Sequence, residues 1–161
     1  MKKSLIAFLL MATFALTFTS CKKDEEEDNN NTNLETNSWK IGSTLYKTNA
    51  FLGPSFSGSD LSALSPDPVG TLIIQFKEKP TASGTYTVKA AGSDLGDKDV
   101  IVSAAAGSET TGKLYLSTGK SGNTVQITVT DSKVTAKIAS IEISTLDGKD
   151  VASLEANITE K

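Results

Sequence analysis

Between residues 124 and 130 the chain reads TVQITVT, with Val125, Ile127 and Val129 alternating against Thr124, Gln126, Thr128 and Thr130. Successive side chains of an extended strand point to opposite faces, so a period of two buries one face and leaves the other in water. The pattern recurs on both sides of this run. KLYLST sets Leu114 and Leu116 on one face, and GKSG (Gly119 to Gly122) separates it from TVQITVT, which predicts a hairpin. VTAKIASIEIST aligns Val134, Ala136 and Ile138, then changes phase to Ile141 and Ile143. A β-bulge near Ala139 or Ser140 accounts for the slip. LDGKD then turns the chain into VASLEANIT, where Leu154, Ala156 and Ile158 share a face. Four strands in a meander are the expectation for the C-terminal half.

Upstream, VGTLIIQFK places Leu72, Ile74 and Phe76 on one side, and PTASG leads into TYTVKA with Tyr86 and Val88. DVIVSAAAG is a shorter strand whose buried face the pattern leaves undecided. SWKIGSTLYKTNAF supplies one or two strands around Trp39, Ile41, Leu45 and Phe51, with Trp39 expected as a core or rim aromatic. SDLSAL offers Ser59 or Asp60 as the cap of a short helix, which Pro66 and Pro68 would end at once. The total is roughly eight or nine short strands separated by turn signals, an all-β chain. A β-sandwich of antiparallel strands is the first expectation and a small closed β-barrel the second.

Charged residues narrow the chemistry. All 16 basic residues are lysines, set against 19 acids, with no histidine and no arginine. Without imidazole, histidine-based triads and zinc sites are excluded. Without guanidinium the chain lacks the planar fork that grips phosphate, which disfavours nucleic acid as a partner. From Ser38 onward lysines and acids nearly balance, which argues against a polyanion receptor.

The N-terminal region is of another kind. Lys2 and Lys3 precede an apolar run from Leu5 to Phe18 that is too short for a bilayer span, which needs roughly 20 residues. Residues 1–20 therefore read as a removable export signal. Phe18-Thr19-Ser20-Cys21 follows, then KKDEEED from Lys22 to Asp28. The first stretch resembles the lipobox of bacterial lipoproteins, in which small residues precede a cysteine that is acylated and becomes the new N-terminus. The second resembles the acidic signal after that cysteine in Bacteroidetes lipoproteins sent to the cell surface, and the strand-rich remainder is similar to small Bacteroidetes lipoproteins. The resemblance implies lipidation of Cys21, an outer-membrane location facing the cell surface or the periplasm, and attachment without a span. The like-charged, Asn-rich tract predicts a solvated spacer over residues 21–37 and a single domain over 38–161.

Other motifs favour plain readings. STGKSG (Ser117 to Gly122) carries Leu114 where a phosphate-binding loop requires its first glycine, and a strand follows it instead of a helix, so a turn is expected. Ser117 and Lys120 also match S-x-x-K, without the companion motifs of penicillin-recognising enzymes. Asp94, Asp97 and Asp99 form a weak calcium candidate whose order departs from the EF-hand loop. Paired carboxylates could serve a glycosidase, but spacing along a chain does not place two acids across a cleft. The expectation is a non-catalytic, monomeric binding or adhesion module without a cofactor, for a protein or glycan ligand. A structural or accessory subunit of an envelope complex is the alternative.

Overall fold

The computed structural model describes residues 32–107 and 112–161. The expected export signal, Cys21 and the acidic tract lie outside the described residues. Eleven strands follow one another: β1 Ser38–Ile41, β2 Thr44–Lys47, β3 Ser55–Ser57, β4 Asp60–Pro66, β5 Val69–Phe76, β6 Gly84–Lys89, β7 Asp99–Ala106, β8 Lys113–Ser117, β9 Thr124–Thr130, β10 Lys133–Thr145 and β11 Val151–Thr159. The described residues form no helix. Instead of a helix, Asp60 to Leu64 of SDLSAL belong to β4, which pairs antiparallel with β3 and turns Leu61, Ala63 and Ser65 inward.

Five strands close on themselves. β6 pairs with β7, β7 with β8, β8 with β10, β10 with β9, and β9 with β6. β11, β1 and β2 extend the sheet outward from β10, while β5, β4 and β3 extend it from β7. The two wings meet where the Lys47 amide donates to Ser65 Oγ at 3.3 Å. The architecture is thus the closed barrel, enlarged by two wings.

Closure corrects two expectations drawn from neighbouring runs. β8 and β9 do not form a hairpin, because β8 crosses between β7 and β10. Its inward residues are Tyr115 and Ser117, while Leu114 is 53% exposed. The sheet is also not wholly antiparallel: β6 and β7 run parallel, with Val88 opposite Val100. Residues 90–98 carry the chain back for that pairing, and the Thr87 amide donates to Lys98 O at 2.9 Å.

The core follows the alternation. Leu72, Ile74, Phe76, Val88, Val100, Val102, Val125, Ile127, Val134, Ile138, Ile141, Ile143, Leu154 and Ile158 are all buried. The phase slip on β10 is real, since its register against β11 shifts between Ile138 and Ile141 and so keeps both isoleucines inside. Trp39 is fully buried and stacks on Tyr46 with ring centroids 5.4 Å apart. Tyr46 in turn lies over Gly70, where any Cβ would come within 2.5 Å of the ring, so only glycine fits that close approach.

The segment from Thr32 to Asn37, expected as spacer, is tied to the domain. The Asn37 amide donates to Asn157 O at 2.6 Å and Asn37 Oδ1 accepts from the Thr159 amide at 2.7 Å. Asn157 Nδ2 donates to Leu34 O at 2.9 Å, and Lys47 Nζ meets Glu35 at 2.6 Å. Backbone groups that a solvated tract would leave to water are satisfied by the last strand instead.

Candidate functional site

One cleft begins with the bulge. β10 pairs with β9 as far as Lys137 and with β8 from Ile143 onward, so between these points its edge passes from one partner to the other. The extra residue of the bulge falls in the same interval. The turn between β8 and β9 spans that gap and leaves an open cleft of about 410 Å³. Ser140, Ile141 and Glu142 line it from β10, Val151 to Ser153 from β11, and Lys120 and Asn123 from the turn.

Its chemistry is that of polar recognition. Lys120 Nζ donates to Glu142 Oε2 at 2.9 Å, with both side chains partly in water. Asn123 holds the turn through its backbone, its amide donating to Lys120 O at 3.2 Å and its carbonyl accepting from the Val88 amide at 3.0 Å. The side-chain Nδ2 of Asn123 is buried without a hydrogen-bond partner, a donor that commonly marks a place for a water or ligand oxygen. The hydroxyls of Ser140 and Ser153 and the lysine–carboxylate pair together offer donors and acceptors to a hydroxyl- or amide-bearing ligand.

A smaller groove of about 190 Å³ lies at the other end of the barrel, lined by Lys77 to Ala82, Tyr86 and Asp97. There Lys77 donates to Asp97 at 2.7 Å. That bond and the lysine charge hold the Asp97 carboxyl below the usual carboxylate range and raise Lys77 in return. Asp99 accepts from the Gly96 amide at 3.0 Å and faces Lys89 at 3.6 Å. Asp94, Asp97 and Asp99 are thus not brought to one point, and among the described residues no three metal-ligating side chains form a group that could hold an ion.

Ser117 and Lys120 also go separate ways. Ser117 Oγ donates to Lys89 O at 2.6 Å and accepts from the Val102 amide at 3.2 Å, whereas Lys120 turns to Glu142. Periodicity does not reveal the cleft, because a switch of strand partner leaves no local signal beyond the phase slip at Ala139–Ser140. Among the described residues no helix is long and apolar enough to cross a membrane. Comparison of the chain with protein-family models, curated proteins and solved structures finds no match.

Proposed function

We propose that the chain is a lipoprotein held by acylated Cys21 on the outer membrane or cell surface, and that its barrel is a non-catalytic binding or adhesion module using the cleft around Ser140, Asn123 and Lys120. The reading is supported by the order of export signal, cysteine and acidic tract, and above all by the placement of the cleft. The chain enters beside Asn157 and Thr159 at the end of β11, whereas Val151 to Ser153 line the cleft at its beginning. A strand advances about 3.3 Å per residue, which separates the two ends of β11 by roughly 25 Å. A tether at the entry end therefore leaves the cleft open to solvent and to a ligand.

A second reading has its own support. Leu64, Thr71, Ala105 and Leu114 stand opposite one another across β4, β5, β7 and β8, and Val69, opposite Pro66, lies two rows further along. Leu64, Val69 and Leu114 are exposed. Such an apolar outer face suits a subunit that docks against another envelope protein. Binding of the protein to a panel of envelope polysaccharides and to whole cells separates the two. The cleft reading expects Ser140→Trp, which fills the cleft, and Lys120→Glu to abolish binding, with Lys40→Glu on β1 as a neutral control. Loss on Leu64→Ser and Leu114→Ser, with the cleft variants unaffected, would establish the docking reading instead.

A further inference from the structure

Most large exposed apolar side chains of the described residues belong to strands or to turns at the cleft end, but Phe51 and Leu52 do not. Phe51 is 91% exposed and Leu52 39%. They sit on the loop between β2 and β3, beside the point where the chain enters, since the Thr48 amide donates to Asn37 O at 3.0 Å. Their backbone is held on both flanks. Asn49 Oδ1 accepts from the Phe51 amide at 3.0 Å and from the Leu52 amide at 2.8 Å. On the far side the Lys161 amide donates to Pro54 O at 2.9 Å, and Lys161 Nζ to Ala50 O at 3.1 Å. Gly53 permits that clamp, because a Cβ there would come within 2.8 Å of the Lys161 side chain.

We infer that Phe51 and Leu52 insert into the headgroup layer of the same membrane that holds Cys21. The inference rests on the anchored reading and adds an orientation to it. Residues 22–31 alone separate Cys21 from the docked segment, and a stretch of that length spans at most about 35 Å. The entry end is therefore kept next to the lipid, and the loop faces it at high effective concentration. An aromatic side chain with an aliphatic neighbour suits the interfacial layer, where apolar groups leave water without crossing the bilayer. Two lysines near this end already carry acidic partners, Lys47 with Glu35 and Lys79 with Glu160, each at 2.6 Å.

The test uses the full acylated chain in phosphatidylcholine vesicles, with Phe51→Trp as the probe and Trp39, fully buried, as the internal reference. The expected result is a blue shift of the Phe51→Trp emission on reconstitution and several-fold stronger quenching by brominated lipid than wild-type Trp39 shows. Flotation on a density gradient reports anchoring independently. Protein that floats with vesicles while Phe51→Trp is quenched no more than Trp39 would overturn the insertion and leave the anchor standing. Protein that does not float would overturn both.

Discussion

Ser117 Oγ accepts a hydrogen bond from the Val102 amide at 3.2 Å. Val102 is the residue of β7 at which the partner changes, since β6 pairs with β7 up to Ile101 and β8 pairs from Ser103. Its amide would otherwise find no ladder partner at the fork. The same hydroxyl donates to Lys89 O at 2.6 Å, and so joins all three strands where the barrel closes. Ser117→Ala leaves a buried amide and a carbonyl without this partner, and a loss of about 1–3 kcal/mol is expected in urea unfolding. Faster hydrogen exchange at Val102 distinguishes this mechanism from a general loosening.

Gly70→Ala tests the packing of the wing. The added methyl would collide with Tyr46, itself stacked on Trp39. Overpacking of this kind costs roughly 1–3 kcal/mol. Denaturant midpoints should fall accordingly, with a change in Trp39 fluorescence in the folded state. An unchanged midpoint would mean that Tyr46 can move aside freely.

Stability should decline at both ends of the pH scale. The bond to Lys47 and the lysine charge hold the Glu35 carboxyl below the 4.5 of a free glutamate side chain. A depressed carboxylate stabilises the fold fully above its unfolded value and ceases to as pH falls through the folded value. The docking of Thr32–Asn37 should therefore loosen below pH 4.5, seen as faster exchange at the Asn37 and Thr48 amides. Tyr46 and Tyr86 are raised above 10.0 by burial. The unfolded chain releases these protons first, so stability should fall once pH exceeds 10.0, with phenolate absorption appearing together with unfolding.

Lys120→Ala removes the pair with Glu142 at the cleft. Both side chains are partly exposed, 61% and 38%, so the change in stability should stay below about 1 kcal/mol. Amide chemical shifts should move at Ser140 to Glu142 and remain fixed at the far end of β11. A large drop in stability would show that the pair holds the turn in place and is not simply part of an open surface.

The inward faces of most strands were legible because burial acts residue by residue on an alternating sequence. Val125, Ile127, Leu154, Ala156 and Ile158 are buried as their spacing requires, and the slip between Ile138 and Ile141 marked the bulge. Pairing was less legible. KLYLST carries two possible inner faces, Leu114 with Leu116 or Tyr115 with Ser117, and the choice depends on β7 and β10, which are remote in sequence. The parallel alignment of β6 and β7 depends on the path of residues 90–98, which no alternation encodes. The docking of Thr32 to Asn37 was hidden for a related reason. A polar, Asn-rich stretch resembles a solvated spacer until a strand end such as Asn157 and Thr159 offers it partners. The cleft residues Asn123 and Ser140 carry no motif and gain meaning only where β10 changes partner.

Anchoring of the domain depends on the state of Cys21, and intact-mass analysis of the protein extracted from membranes tests it directly. A mature chain beginning at Cys21 and carrying the mass of added acyl chains is the predicted result. A chain that retains residues 1–20, or one that begins at Cys21 with an unmodified thiol, would contradict it.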